Sequence, residues 1–344
     1  MLWTDIIDPA TLTGYARASL AEYEARRGTL ARFLPNREVA DIVARFVKGS
    51  TGLVDVAKFR AYDAEPEIGK RPSGKRITLE LPALGQNIPV SEYEQLRARG
   101  GNVTEEAALA AIQRTTDVVV RAVSDSIERM RGIVLATGKA TIDQDNFKTD
   151  DDFGRSAGHS VSAGTVWSTS TADALGDLET WVDAYRASNG EAPGAILMST
   201  RVLRAMASLD QFATQLVNGA SRPATVSDVN ALVSAAGLPP IVTYDRQVSV
   251  DGSATKVLAD DKLLLLPQPV DTDDWMGTEL GATFWGRTLT STDAEWGIED
   301  ADQPGVVAGV YRNPKPPMGI EVISDAIALP VLANADLSFV ADVL

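Results

Sequence analysis

One helical pattern constrains this chain most, because it runs without interruption over residues 104–137. Apolar side chains recur there at spacings of three and four residues, which is typical of one face of an α-helix. The members of this stripe are Leu109, Ile112, Thr116, Val119, Val123, Ile127, Met130 and Val134. Thr104 is the expected N-cap and Gly138 the expected stop. Such a helix would measure about 50 Å, whereas average helices have about a dozen residues. We therefore expect it to organise the fold.

The opposite side of this predicted helix carries charges of alternating sign at spacings of three and four residues. They are Arg114, Asp117, Arg121 and Asp125. Such pairs support an exposed helix. We expect the apolar stripe to pack on the chain's own sheet and the charged ladder to face solvent or a neighbouring subunit. Arg114, Asp117 and Arg121 are therefore candidate contacts between subunits.

Before the helix, two segments alternate between the two faces of a strand. Residues 53–62 and 76–81 have this period of two, and a charged segment rich in Gly and Pro separates them. The pattern predicts a long hairpin with its tip near 65–75. An isolated hairpin is marginally stable in water, so we expect it to rest on another surface, such as a second subunit. The charged candidates for that contact are Glu65, Glu67, Lys70, Arg71, Lys75 and Arg76.

The rest of the chain mixes helical and strand patterns. Asp8 and Pro9 predict a helix start, with the helix continuing to about residue 27. Further helices are predicted at 176–188, 200–207 and 226–236, and strands at 195–198, 241–244, 256–259, 263–266, 319–323, 326–332 and 337–343. No regular βαβ order and no internal repeat is visible. The fold class is therefore α+β.

Composition excludes several classes of function. The chain of 344 residues is 44% hydrophobic and 23% charged, which is enough for a real core. It has no cysteine, so disulfides and thiolate sites are excluded. Its one histidine, His159, excludes a zinc site built on paired histidines of one chain. Neither a signal peptide nor a membrane span is evident. We expect a protein that is soluble and cytosolic when made.

The net charge of −15 is unevenly distributed. Residues 1–100 carry 15 basic and 13 acidic side chains, whereas residues 101–344 carry 17 and 34. Phosphate binding needs a positive surface. The acidic body therefore argues against a primary role in gripping nucleic acid.

Three motifs come close to a catalytic or metal site, and each lacks part of the pattern. Residues 69–75 match the start of a phosphate-binding loop, but Arg76 stands where Ser or Thr would bind magnesium. Residues 158–162 lack the final glycine of a nucleophile elbow. The acidic residues in 143–152 lack the spacing of an EF-hand. We expect no catalytic residue, no cofactor and no metal site.

Three local segments carry a resemblance to a known family. They are DFGRS (152–156) with GTVWS (164–168), GAILMS (194–199) followed by Leu203 and Met206, and SDAIALPVL (324–332) followed by Asp336 and Phe339. Their order, together with the hairpin and the long helix, resembles the major capsid proteins of tailed double-stranded DNA bacteriophages, especially the lambda-like members. The resemblance covers nearly the whole chain and implies the Hong Kong 97 fold.

The resemblance implies a division of the chain into five parts. Residues 1–48 would be the N-terminal arm, 49–90 the E-loop hairpin and 91–170 the P-domain with its spine helix at 104–137. Residues 171–309 would form the A-domain, and 310–344 would be closing strands that return to the P-domain. No N-terminal scaffolding domain is visible, so a separate scaffold is expected.

The resemblance also implies a function and partners. The subunits would form hexamers and pentamers of an icosahedral shell that encloses double-stranded DNA without sequence-specific binding. A portal, a scaffold and a decoration protein are the expected partners, in the host cytoplasm before assembly and in the virion capsid afterwards. Two alternatives remain open. One is an encapsulin shell of the same fold, and the other is a hydrolase that uses Ser160 with His159 or the carboxylates of 143–152.

Overall fold

A computed structural model describes residues 2–48, 75–93, 105–144, 147–216, 224–272, 278–313, 315–316 and 318–344. Its described α-helices are α1 (Pro9–Arg27), α2 (Glu105–Thr137), α3 (Ala174–Asn189), α4 (Thr200–Ala207), α5 (Asp210–Leu216), α6 (Val226–Ala235) and α7 (Leu289–Thr292). Its strands are β1 (Asn36–Glu38), β2 (Val43–Lys48), β3 (Lys75–Glu80), β4 (Ala83–Val90), β5 (Lys139–Gln144), β6 (Phe147–Asp152), β7 (Ser160–Ser162), β8 (Ala195–Met198), β9 (Ile241–Thr243), β10 (Gln247–Val250), β11 (Ser253–Lys256), β12 (Lys262–Leu266), β13 (Gly281–Gly286), β14 (Val307–Arg312), β15 (Ile320–Leu332) and β16 (Phe339–Asp342). The predicted α+β class is confirmed.

The first sheet is built around the long strand β15. β13 and β14 pair antiparallel with successive halves of β15, and β4 also pairs with β15. β1 adds a parallel strand beyond β13. Successive side chains of a strand point to opposite faces, so one face of this sheet carries Val310, Val322 and Ala326. That face packs against α1 and α2.

The predicted long helix is confirmed as α2, whose described residues begin at Glu105 and end at Thr137. Ile112, Val119, Val123 and Ile127 of its apolar stripe are buried in the core shared with the first sheet. Gly138 follows the helix with a φ of 71°, in the left-handed region that ends many helices. The predicted start of α1 is also confirmed, because the side chain of Asp8 accepts a hydrogen bond from the Thr11 amide.

The charged ladder of α2 differs from its prediction. Asp117 accepts hydrogen bonds from Tyr15 and Ser19, and Asp125 accepts one from Tyr23. All three donors lie on α1, which packs along α2 in the same chain. The prediction that these aspartates face solvent or a neighbour is therefore wrong. Helical spacing alone shows which residues share a face, but not which element of the chain covers that face.

The second sheet has the order β7, β16, β12, β8 and β9. Alternate residues of β12 enter two different cores: Leu263 and Leu265 contact the core formed with α3, α4 and α6, whereas Leu264 and Leu266 contact the core shared with the first sheet. Burial on both faces explains why β12 is a continuous apolar run.

Two strands pair with partners that are distant in the sequence. β16 lies in the segment 310–344, which the resemblance implied would return to the P-domain, and it pairs with β12 and β7 in the second sheet. β13, where no strand was predicted, pairs with β15 in the first sheet. Both strands are short and apolar, so their pattern fits either sheet, and long-range pairing decides between the two.

The hairpin before α2 pairs strands that differ from the prediction. β3 pairs with β2, so that Ile77 lies opposite Phe46 and Leu79 opposite Ala44. Ala44 and Leu79 are buried in the core of the same subunit, so this base of the hairpin rests on its own chain. The predicted strand 53–62 and the predicted tip lie outside the described residues, except for Lys75 at the start of β3.

Candidate functional site

A buried set of charged side chains joins α1, α2, β1 and the turn after β9. We call it the ionic junction and define it by Glu24, Asp125, Glu128, Arg131 and Arg246. The side chains of Glu128 and Arg131 are 0% exposed and form an ion pair of 3.0 Å, three residues apart on α2. A buried charge is tolerated only where partners compensate its lost hydration. The partners of this pair therefore show what the junction holds together.

The carboxylate of Glu128 binds the chain at the point where it leaves α1. It accepts hydrogen bonds from the Leu30 amide at 2.7 Å and from the Thr29 hydroxyl at 3.0 Å. It also accepts one from the Tyr244 hydroxyl at 2.5 Å. Burial, and after it the charge of Glu128, raises the pKa of Tyr244, which keeps this hydroxyl a donor. One carboxylate thus connects three segments that are far apart in the sequence.

The guanidinium of Arg131 connects α2 to the edge of the first sheet. Its Nε donates to the Thr283 hydroxyl at 3.0 Å, and its Nη2 donates to the Asn36 side chain at 2.7 Å. Asn36 also accepts a hydrogen bond from the Trp285 indole. Arginine suits this position because its planar group offers five donors in fixed directions.

Arg246 completes the junction from the turn after β9. It donates to the carboxylate of Asp125 and to the carbonyl of Gly28, each at 2.9 Å, and it lies over the ring of Tyr23. Burial alone would lower the pKa of Arg246, but the carboxylates of Glu128 and Asp125 raise it. The junction therefore positions α1, α2 and the 244–246 turn relative to one another. Its charged groups bond to one another and to the backbone, which is the chemistry of a structural clamp.

The histidine of the hydrolase alternative lies in a second buried polar site. We call this site the histidine corner and define it by Arg155, His159, Ser188 and Asp336. His159 is 3% exposed and its Nε2 lies 2.9 Å from the Ser188 hydroxyl. Ser160 is exposed on β7. The hydrogen bond of His159 is made with Ser188 and not with Ser160, so the structure does not support the alternative in which His159 activates Ser160.

The electrostatics of the histidine corner favour a neutral ring. Burial lowers the pKa of His159, the charge of Asp336 opposes that shift, and Arg155 adds to it. Burial also lowers the pKa of Arg155, to about 10. The guanidinium of Arg155 donates to the carbonyls of Leu135 and Ala136. It thereby caps the C-terminal end of α2, where a positive charge is favourable.

The remaining candidates form no site within the described residues. Residues 69–74 lie outside them, and the backbones of Lys75 and Arg76 pair with β2. In the acidic segment, Asp143 pairs with Lys148 at 2.7 Å and Asp152 with Lys139 at 3.2 Å across the β5–β6 hairpin. No group of three potential metal ligands occurs in the part of the chain that the structure describes. The same part contains no helix long and apolar enough to cross a bilayer.

The candidate contacts between subunits fall into three sets. Glu65, Glu67, Lys70 and Arg71 lie outside the described residues. Lys75 and Arg76 lie on β3 of the hairpin. On α2, Arg114 and Arg121 are exposed, whereas Asp117 is bonded to α1.

Sequence reasoning missed the ionic junction and the cap from Arg155. A signal for the junction was present, because Glu128 and Arg131 are opposite charges three residues apart that directly neighbour the apolar stripe. No local signal identifies Arg155, since it follows the end of α2 by 18 residues and reaches back through the fold.

Comparisons with known proteins identify the fold and the family. A family model described as phage major capsid protein E matches residues 19–284, which is more than half of the chain. The structure is similar to a putative prophage capsid protein from Escherichia coli CFT073, with a TM-score of 0.60, 14% identity and coverage of 96% of this chain and 99% of that one.

It is equally similar to a phage-related protein from Bordetella bronchiseptica RB50, with a TM-score of 0.60, 16% identity and 97% coverage of both chains. No match to a curated protein sequence is significant. The resemblance drawn from the sequence is thus confirmed. The chain has the Hong Kong 97 capsid fold and belongs to the phage major capsid protein E family, whose members are structural proteins of the virion capsid.

Proposed function

We propose that this subunit assembles into hexamers and pentamers of an icosahedral phage head that encloses double-stranded DNA. The observation that carries the proposal is the family match over residues 19–284 together with a fold similarity that spans nearly the whole chain. In this proposal the subunit is non-catalytic and waits in the host cytoplasm until it assembles. A portal and a scaffold complete the head, and a decoration protein is a further candidate partner.

We propose a division into domains that follows the two sheets. The first sheet with α2 corresponds to the P-domain and the second sheet with its helices to the A-domain. The E-loop then begins at β2 rather than at residue 49, because β2 pairs with β3. β13 belongs with the P-domain and β16 with the A-domain, since each pairs with strands of that sheet.

The hairpin supports association between copies of the chain. Within the described residues, β2 and β3 pair only with each other. A two-stranded hairpin is marginal in water unless another surface covers it. The base of the hairpin packs on the core of its own subunit. In this proposal a neighbouring copy covers the residues of the hairpin beyond the base. In this proposal the six charged residues of the hairpin, from Glu65 to Arg76, remain candidate contacts.

The charge of the chain supports enclosure of DNA without tight binding. A net charge of −15 repels phosphate at moderate distance. Packaged DNA could then slide and condense against the shell. A strongly basic inner surface in an assembled shell would contradict this part of the proposal.

Assembly of the purified full-length chain tests the proposal. We expect negative-stain microscopy and light scattering to show capsomers or closed shells at high protein concentration. Monomers alone, with and without a co-expressed scaffold, would contradict the proposal.

The encapsulin alternative predicts different contents. Particles from infected or induced cells should hold nuclease-protected double-stranded DNA if the chain forms a phage head. An encapsulin would instead hold a protein cargo, which mass spectrometry of the purified particles would identify.

A further inference from the structure

The 20 residues that connect β13 to β14, residues 287–306, form a segment that we call the excursion. β13 and β14 pair with successive halves of the same strand, β15. The excursion therefore leaves the sheet after β13 and returns to it at β14. Its position is held by specific contacts. Thr290 donates to Asp325 at 2.6 Å, and Arg17 donates to the carbonyls of Pro304 and Val306. The excursion is thus a shaped and anchored part of the subunit.

On this anchored segment, one large apolar side chain points into solvent. Leu289 is 91% exposed, the highest value among the exposed large apolar side chains of the described residues. It opens α7, which the Thr288 side chain caps. Trp296 of the same segment is buried over Gly309, where any side chain would collide with its ring. The excursion therefore uses one apolar residue as an anchor and presents another outward.

The excursion that carries Leu289 is rich in acidic side chains. Asp293, Glu295, Glu299, Asp300 and Asp302 are all exposed in the excursion. Asp302 pairs with Arg17, whereas the carboxylates of Glu295 and Glu299 lie in no ion pair within the described parts of the chain. A complementary surface would offer an apolar patch flanked by positive charge.

Helix α2 presents such a surface, which we call the outer stripe and define by Arg114, Val118 and Arg121. These residues are four and three positions apart, so they lie on one face of the helix. All three are exposed, and Val118 is 52% exposed. Asp117 and Asp125 of the original ladder are half-buried and hydrogen-bonded to α1 and Arg246, so they are less accessible to a partner than the two arginines. The most exposed side chains of this face are therefore a valine between two arginines.

The part of the excursion around Trp296 lies on the side of the first sheet away from α2, whereas the end of the excursion returns to the α2 side, where Val306 joins the core formed with α1 and α2. Val310 and Val322 face α2, whereas Trp296 packs on the alternate residues Gly309 and Tyr311 of β14. Thr290 bonds to Asp325, which alternates with Ala326 on the α2 side. Alternate residues of a strand point to opposite faces. Leu289 and Val118 remain 91% and 52% exposed in the subunit, so neither covers the other within one chain. A contact between these two side chains must therefore form between copies.

We propose that the excursion of one subunit docks on the outer stripe of an adjacent subunit, with Leu289 against Val118 and the carboxylates against Arg114 and Arg121. The contact is heterologous, meaning that different patches meet, and such contacts extend into rings or larger assemblies. This inference rests on the proposed function and names surfaces through which the copies associate.

Charge reversal tests the contact. We expect Glu295→Lys with Glu299→Lys to slow shell assembly about tenfold, and Arg114→Glu with Arg121→Glu to do the same. Combining all four should restore the rate to within about threefold of the wild type, since the attraction is rebuilt with opposite sign. The matched control is Glu179→Lys with Glu191→Lys, two exposed acids on and after α3 that change the net charge equally. The contact is overturned if the combined variant assembles no better than either parent.

A covalent readout separates this contact from the proposed function. Because the chain has no cysteine, Leu289→Cys with Val118→Cys introduces the only two thiols. We expect oxidation to give a ladder of disulfide-linked multimers on a non-reducing gel, with circular dichroism matching the wild type. If the wild type forms shells but the oxidised cysteine variant gives no ladder, this contact alone is overturned. Absence of any wild-type assembly would instead contradict the proposed function. Outer-stripe variants that assemble normally but lose binding to double-stranded DNA would assign the stripe to nucleic acid and overturn the docking.

Discussion

The ionic junction and the histidine corner are two buried polar sites, and they differ in the charge state of their buried groups. In the junction, Glu128 and Arg131 are both fully buried and neutralise each other. In the corner, burial favours the neutral form of His159. The stability of the junction therefore depends on keeping every charged partner, whereas the stability of the corner depends on pH. The comparison shows that a buried charge can tie together segments far apart in the sequence only when other groups compensate it.

The largest expected effect comes from removing one partner of the buried pair. Glu128→Leu should lower the free energy of unfolding by about 3–5 kcal/mol, because it leaves the buried Arg131 guanidinium with only the 3.3 Å contact to Glu24 in place of its fully buried partner. Urea unfolding of the unassembled subunit, followed by circular dichroism, measures this change.

The matched double variant sharpens this first prediction. Glu128→Leu with Arg131→Met removes both fully buried charges and should be more stable than Glu128→Leu alone, since the carboxylate left without a partner, Glu24, is 12% exposed and can be hydrated. A double variant that is less stable than Glu128→Leu would show that Arg131 stabilises the fold without the pair.

A smaller loss is expected when one hydrogen bond to the junction is removed. Tyr244→Phe deletes the hydroxyl that donates to Glu128 and should cost about 1.5–3 kcal/mol, the usual range for a hydrogen bond to a charged group. Urea unfolding again measures the change. Tyr311→Phe is the control, since this ring lies on β14 of the first sheet and contacts Trp296 rather than a junction residue. Equal losses in both variants would contradict a specific role for the Tyr244 hydroxyl.

The histidine corner should respond to pH where the junction does not. The pKa of His159 is lower in the folded subunit than its ordinary value of about 6.5. The unfolded chain therefore binds a proton first as the pH falls. The contribution of neutral His159 to the stability of the folded subunit is therefore complete above about pH 6.5. It is lost as the pH falls from there through the lower pKa that His159 has in the folded state.

Unfolding by urea at a series of pH values between 7.5 and 5 tests this expectation. The matched variant is His159→Gln, which retains hydrogen-bonding groups near Ser188 but has no proton to bind. We expect the wild type to lose stability over this range more steeply than the variant. Parallel curves for the two proteins would mean that His159 is not the titrating group.

The smallest effect is expected for an exposed ion pair. Lys148 and Asp143 lie 2.7 Å apart, but their side chains are 71% and 72% exposed. Lys148→Ala should change the free energy of unfolding by at most about 0.5 kcal/mol, because water already solvates both charges. If Lys148→Ala lost as much stability as Glu128→Leu, burial would not explain the different contributions of the two ion pairs.

Much of the architecture could be predicted because it follows from local patterns. The bounds of α2, the start of α1 and the apolar stripe come from helical spacing and capping, which act over three or four residues. The family resemblance came from the order of such elements. The candidate site was less predictable. Arg114 and Arg121 are exposed as expected, but the partners of Asp117 lie about a hundred residues away on α1.

The sequence by itself determined α1, α2 and several shorter elements such as α4, β8 and β12, and it determined which face of α2 is apolar. The tertiary structure decided which sheet accepts β13 and β16, and which strand pairs with β3. It also decided that α1 covers the aspartates of α2 and that Tyr244 reaches Glu128 across 116 residues. The physical reason is the range of the interactions. Periodicity and caps act between near neighbours in the chain, whereas strand pairing and the burial of charge depend on groups that meet only after folding.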